Sequence, residues 1–251
     1  MKKPFLSIIT PVYNAEETIE RTIKSVIEQD FNDYEYIIVD GKSNDKTMSI
    51  VGKYRMNIDK IIREEDQGVF DAMNKGIKAS DGIYVGIINS DDYYKRNVFS
   101  EVYKVVNKNE NVGVVYSDIE REVVGRGKLR AKSESDINIS SFRHGMPVKH
   151  PSSFVKKRHY EEVGGYDNSY PIAADFELML RLCKRNVQFV YIEEVTAIMR
   201  SGGLSHVNFS QGRYEALCAL INHNAPLHVI LYFTVHALVE ILIVNVSSIM
   251  K

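Results

Sequence analysis

The sequence predicts an α/β fold: a mostly parallel sheet flanked by helices, with an apolar helix closing the chain. Three observations carry this reading. Short apolar runs rich in Ile and Val alternate with helix-period segments as far as residue 118, the rhythm of strand–helix–strand units whose sheet is covered on both faces. Runs of this kind stop at Asn or Asp instead of continuing into a glycine-rich turn. Segment 226–250 is strongly apolar.

The elements follow in order. "FLSIIT" (5–10) is a first strand, and "AEETIERTIKSVIEQ" (15–29) a helix with Ile19, Ile23, Val26 and Ile27 on one face. Glu16 and Glu17 suit its N-terminus. "YEYIIVD" (34–40) is a second strand, 45–54 a helix and 58–64 a third strand; 70–80 is helical and "IYVGIIN" (83–89) is a fourth strand. A helix near 96–107 leads to a strand at 112–118. Segment 121–150 is polar and irregular, read as loops or a short hairpin. A strand in "SSFVKK", a short helix in "KRHYEEVGG", a helix at 174–185, a strand at 187–192 and a helix in "NFSQGRYEALCALINHN" complete the body. No repeat or low-complexity tract interrupts it.

The 251 residues suit one α/β domain with a smaller appendage. We divide them into a unit at 1–205, with halves 1–118 and 119–205, and a helical extension at 206–251. A net charge of −1 supplies no basic field, so no nucleic-acid partner is expected. Cys183 and Cys218 sit in no CxxC or Cys/His cluster, which argues against a disulfide framework or zinc site and for a reducing compartment. "MKKPFLSIIT" reads as a strand, not a signal peptide. The expected location is the cytoplasm, at most peripheral on the inner face of the membrane.

Ligands of open α/β sheets bind outside the carboxyl ends of the strands. Three ends here carry suitable chemistry: Pro11, Tyr13 and Asn14 after the first, Asp40 after the second, and Asn89, Asp91 and Asp92 after the fourth. "GKS" at 41–43 is no P-loop, because Tyr36 stands where that motif needs its first glycine. No GxGxxG follows the first strand either. A bound diphosphate then needs another counter-charge. Adjacent carboxylates suit a hard divalent cation, Mn²⁺ or Mg²⁺, which takes oxygen ligands and phosphates together.

"SIITPVYN", "IIVDGKSNDKT", "EEDQGVFDAMNKGIKASDGIYVGIINSDD" and "AADFELMLRL" are similar, in order, to the motifs of the family 2 glycosyltransferases. The resemblance covers roughly residues 5–205. It implies the GT-A fold, a nucleotide-diphosphate sugar donor, most simply a UDP-sugar, and inverting transfer to a glycan or lipid-linked acceptor. It places Pro11 and Tyr13 against the nucleobase, with Asn14 beside them, and Asp40 on the base. It places Asp71 and Lys75 on the nucleotide, Asn89, Asp91 and Asp92 at a DxD-like site where one of the metal candidates Asp91 and Asp92 holds the metal and the other reaches the ribose or sugar, and Asp175 as the catalytic base. His150 and His206 fall on the acceptor side. The "DQGVFDAMNKG" variant resembles members that build bacterial surface polysaccharides, such as capsule or O-antigen. Asn89 stands where the family commonly has aspartate, Ala174 where it has glutamate and Met73 where it has arginine. The last change leaves a metal or Lys75 to face the phosphates.

Each residue also has a plainer reading. Asp91 and Asp92 are turn formers, Tyr13 packs, Asp40 caps a turn, Asp71 and Asp175 complement helix N-termini, His150 is a polar structural group and His206 a lone surface histidine. A non-catalytic nucleotide-sugar-binding or scaffold protein is the alternative function, motivated by Asn89, Met73 and Ala174. The tail at 226–250 is long enough to span a bilayer. Its His236, Glu240 and Ser247 share one helical face, however, and only Lys251 flanks it as a basic anchor. An interfacial helix or a homodimer contact is the expectation.

Overall fold

The computed structural model describes residues 3–123, 125, 127–203 and 207–249. Alternating elements build the first half: β1 (Leu6–Val12), α1 (Ile19–Ile27), β2 (Tyr34–Asp40), α2 (Thr47–Lys53), β3 (Lys60–Arg63), α3 (Val69–Ala79) and β4 (Tyr84–Ile87). The second half holds β5 (Tyr93–Tyr94), α4 (Val98–Lys108), β6 (Val114–Val123), β7 (Gly127–Ala131), β8 (Phe154–Lys156), α5 (Lys157–Val163), α6 (Ala174–Lys184), β9 (Phe189–Arg200), α7 (Phe209–Asn222) and α8 (Leu227–Ile249).

The strands form one sheet in the order β3-β2-β1-β4-β8-β6-β9-β5, with β7 paired to β6. β3, β2, β1 and β4 are all parallel, as the alternating sequence requires. The second half is mixed. β8 runs antiparallel to both β4 and β6, while β6 and β9 are parallel. β9 extends well past the expected strand at 187–192: it continues through the exposed Glu193 and Glu194 to Arg200. A register shift against β6 at Ser117–Ile119 accommodates this irregular stretch. α1 begins at Ile19, later than its apolar period suggests. Residues 15–16 are held instead by the α2 side, Ala15 N–H donating to Thr47 Oγ1 (2.7 Å) and Glu16 N–H to Asp45 (3.1 Å).

Two apolar layers cover the sheet. Alternate β1 residues supply them: Leu6 and Ile8 face α1 and α4, and Ile9 faces α3 and the C-terminal helices. Ala219, Leu220, Val229 and Phe233 of α7 and α8 join this second layer, so both helices share the core of the body. α3 lies close on the sheet because Gly76 has no side chain. A Cβ there would stand 2.5 Å from Ile9 Cγ2, a fully buried atom near its own backbone. Gly76→Ala gains about 1 kcal/mol of helix propensity but meets an overpacking cost of about 1–3 kcal/mol. We expect a net loss of stability of up to about 2 kcal/mol, read as a Tm lower by up to about 8 °C, since ~1 kcal/mol moves Tm by about 2–4 °C at this size.

Candidate active site at the strand ends

β1, β2 and β4 end side by side, and their last residues bring the expected groups to one edge of the sheet. Asp40 closes β2 opposite Val12 and is fully buried. Its Oδ1 accepts from the Ser43 N–H (3.0 Å). Its Oδ2 pairs with the Arg63 guanidinium (3.1 Å) but receives no hydrogen bond among the described residues. A buried carboxylate oxygen without a donor is costly unless a ligand supplies one. Pro11 is buried within β1, beside Val39. The Tyr13 ring projects, 61% exposed. Asn14 takes the left-handed conformation (φ 47°) and ties the first two strand ends together, its N–H donating to Ser43 Oγ (2.9 Å) and its Oδ1 accepting from the Asn44 N–H (2.9 Å).

Asp71 and Lys75 sit one turn apart at the start of α3, paired at 3.1 Å. Burial works upward on the Asp71 carboxyl, but the Gln67 N–H, Lys75 and Asn168 together hold it below the usual carboxylate range. Lys75 also donates to the Glu65 carbonyl, so its ammonium is already engaged twice. Between Asp40 and Asp71 stands Asp66, which the sequence reading passed over. Its carboxyl is raised by burial and by both neighbouring carboxylates, and a Cβ on Gly41 would meet its Oδ2 at 2.5 Å. Nothing in "REEDQG" separates it from Glu64 and Glu65. Met73 is buried in the core and contributes no polar group here.

The turn after β4 divides its two aspartates. Thr22 of α1 holds it, donating to the carbonyls of Ser90 (2.9 Å) and Asp92 (2.7 Å). Asp92 is 2% exposed. Its Oδ1 accepts from the Arg200 N–H (3.0 Å), and the Asn89 amide donates to the same carboxylate. An aspartate at position 89 would repel Asp92 there, which gives the Asn89 departure a physical reason. Asn89 Oδ1 has no hydrogen-bond partner among the described residues. Asp91 is only partly buried, with the guanidinium groups of Arg21 and Arg200 nearby. Burial raises the carboxyls of both residues, and the charge of Asp91 raises Asp92 further. Arg21 is fixed by stacking on Tyr93 (4.0 Å to the ring centroid) and pairing with Glu122 (3.1 Å).

Asp175 occupies the first turn of α6, where its Oδ1 accepts from the Phe176 N–H (2.8 Å). Burial raises its carboxyl, and the nearby His150 opposes that rise. Burial in turn lowers the imidazole of His150. His150 Nε2 bonds the Tyr166 hydroxyl (2.9 Å). Asn74 of α3 clamps the Tyr166 backbone at both N–H and carbonyl (2.9 Å each). His150 is thereby tied through Tyr166 to the helix that carries Asp71 and Lys75. His206 lies outside the described residues.

Among the described residues, no three His, Cys, Asp or Glu side chains gather around a point that would hold a metal. The donor set still fits a hard cation held by few protein ligands and by substrate phosphates. Asp91 has a carboxylate not committed to the fold, and Asn89 Oδ1 is an unpartnered oxygen at the same strand tip. Asp92 is committed to Arg200 and Asn89.

Residues 7–164 match Glycosyl transferase family 2. A PGL/p-HBAD biosynthesis glycosyltransferase of Mycobacterium bovis is 28% identical over 213 residues, covering 82% of this chain and 81% of its own. An uncharacterized glycosyltransferase of Rickettsia typhi is 30% identical over 237 residues, covering 88% and 70%. A putative teichuronic acid biosynthesis glycosyltransferase of Bacillus subtilis is 40% identical over 98 residues, covering 38% and 39%. Among solved structures, S. aureus TarS 1–349 superposes with a TM-score of 0.68 at 18% identity, over 92% of this chain and 70% of that one. The mannosyltransferase PcManGT from Pyrobaculum calidifontis, in complex with GDP-Man and Mn²⁺, gives 0.70 at 18% identity, over 94% and 70%. The mixed sheet flanked by helices is thus the GT-A architecture of known glycosyltransferases. The chain belongs to glycosyl transferase family 2, and it is a glycosyltransferase.

Proposed function

We propose that the protein moves a sugar from a UDP-sugar to a hydroxyl of a glycan or lipid-linked acceptor, inverting the anomeric centre, with Mn²⁺ or Mg²⁺ at Asp91. The observation that carries the donor side is the buried, undonated Oδ2 of Asp40 beside Arg63. An acceptor flanked by a guanidinium complements the adjacent ring N–H and carbonyl of a uracil edge. Tyr13 is free to stack on the base. Asp66, Asp71 and Lys75 line the continuation of this crevice, and Arg21 and Arg200 supply the positive charge that Met73 does not. A bound divalent cation would neutralise the charge of the departing diphosphate.

Asp175 acts on the acceptor. Its raised carboxyl makes it a stronger base than an exposed aspartate. It takes the proton of the attacking hydroxyl as the new glycosidic bond forms and the bond from the anomeric carbon to the phosphate oxygen breaks. His150, hydrogen-bonded to Tyr166, stands beside it and orients the acceptor. The chain's likeness to glycosyltransferases of PGL/p-HBAD and teichuronic acid biosynthesis supports a place in bacterial polysaccharide or glycolipid biosynthesis. The free thiols of Cys183 and Cys218 accord with a cytoplasmic site of action. The test is a panel of UDP- and GDP-sugars scored for release of nucleoside diphosphate with Mn²⁺ and with EDTA. Metal-dependent release from at least one UDP-sugar is expected. Release from none, or release indifferent to EDTA, removes the proposal.

We divide the chain functionally into a donor half at 1–118, an acceptor half at 119–205 and a C-terminal extension from 206. Among the described residues no helix is long and apolar enough to cross a membrane. α8 packs Val229, Phe233 and Ala237 inward, and its Glu240 pairs with Arg213 of α7 and with His236 (3.3 Å). Leu231, Val235, Leu238 and Leu242 stay exposed at intervals of four, three and four. That spacing is a coiled-coil seam. With no Lys or Arg between Leu227 and Ile249 to meet lipid headgroups, the face fits a second copy of this chain. Leu231→Gln with Leu238→Gln should convert a dimer to a monomer by light scattering. A wild type that is monomeric, or that binds anionic vesicles through this face, contradicts the assignment.

A further inference from the structure

α6 begins without a cap of its own. Its N-cap residue is Ala173, no side chain there accepts a hydrogen bond, and Ala174 follows. The first-turn N–H groups of a helix need acceptors, above all in a buried setting. For the N-cap N–H and the one before it, the acceptor comes from α7. Glu215 is 7% exposed, and its Oε2 accepts from the N–H of Ile172 (2.8 Å) and of Ala173 (2.9 Å). Its Oε1 accepts from Gln211 Nε2 (2.8 Å). Two further contacts clamp α7 on this loop. Asn222 Nδ2 donates to the Tyr170 hydroxyl (2.9 Å), and a Cβ on Gly212 would stand 3.0 Å from Ile172 Cγ2.

We propose that Glu215 is a positioning residue for the base: through it, α7 fixes the start of α6 and with it the Asp175 carboxylate two residues on. The inference rests on the reading of Asp175 as base. Buried charge is hard to accommodate unless paired or hydrogen-bonded. Here a full negative charge is held by two backbone N–H groups at a helix start, where the helix dipole also favours it. The arrangement has a second effect. Asp175 is faced by His150 from the turn at 150–152 and by Glu215 from α7, with Tyr166 bonded to His150. Burial is the main cause of its raised carboxyl, and the like charge of Glu215 adds to it while His150 opposes. Glu215 therefore holds the base in place and strengthens it.

The experiment compares the full chain with Asp175→Asn, Glu215→Ala and Glu215→Gln, measuring kcat, donor KM and the pH profile with the donor found in the panel. Glu215→Ala should lower kcat by about tenfold or more with donor KM unchanged, since small misplacements of a reacting group cost up to ~10²-fold. Glu215→Gln keeps an oxygen for both N–H groups, so it should recover most of that loss. It removes the charge, so the acid limb of its profile should move to lower pH. A purely structural Glu215 would lower stability without moving that limb. Should Glu215→Ala fail to fold, the limb in Glu215→Gln decides alone: a limb at the wild-type position overturns the inference. If Asp175→Asn is inactive while both Glu215 variants keep wild-type kcat and limb, Glu215 positions nothing. If Asp175→Asn turns over normally, the reading of the base falls and takes this inference with it.

Discussion

Asp175→Asn is expected to lower single-turnover sugar transfer by about 10²–10⁴-fold, the usual worth of a general base, while affinity for UDP with Mn²⁺ stays the same. In barrier terms this is about 3–5.5 kcal/mol. The amide keeps the shape of the side chain and its hydrogen bond from the Phe176 N–H, but it cannot take a proton. If the carboxylate serves only the α6 dipole, the substitution costs about 0.3–1 kcal/mol of stability and leaves transfer intact. Transfer rate and melting temperature on the same variant separate the two. The pH profile adds a sign. Burial raises the Asp175 carboxyl, so the proton-free form is lost as pH falls through that raised value. The acid limb should lie above the ordinary aspartate value of about 3.9.

The second large effect is at the β4 tip. UDP with Mn²⁺ at 100 times its Kd should stabilise the wild type by about 2.7 kcal/mol, a rise in Tm of about 5–11 °C. Asp91→Ala should abolish the metal-dependent part of that rise. It also removes a charge that crowds Asp92, so the metal-free variant should melt no lower than wild type. Asp92→Ala should behave differently: it leaves the Arg200 N–H and the Asn89 amide without their acceptor, so it should melt lower even without ligand. Equal ligand-induced shifts in wild type and Asp91→Ala would contradict the assignment of the metal to Asp91.

The sequence declared β1, β2 and β4 because those strands are buried on both faces and rich in Ile, Val and Tyr, between helices with one apolar stripe each. It concealed elements held by distant partners. β5 is two tyrosines paired with Ala197 and Ile198, more than a hundred residues on. β7 is almost wholly exposed and has no apolar period. The site divides in the same way. Asp40 and Asp91 were legible because a carboxylate at the end of a core strand is locally unfavourable. Asp66 was hidden in an acidic run and Arg200 at the end of an irregular strand. Glu215 looked like any polar residue of a surface helix until its partners, Ile172 and Ala173, were brought to it by the fold. Adjacent aspartates in the sequence left open which one would hold a metal; in the fold Asp92 is buried and accepts from the Arg200 N–H, while Asp91 is only partly buried.

The proposed reaction is a direct displacement at the anomeric carbon, with the diphosphate leaving from one face and the hydroxyl assisted by Asp175 arriving at the other. The anomer first formed reports this. Proton NMR of an α-linked UDP-sugar turned over with Mn²⁺ should show the β-configured product before any mutarotation, and Asp175→Asn should slow its appearance. An α-configured first product would contradict single displacement and the role given to Asp175.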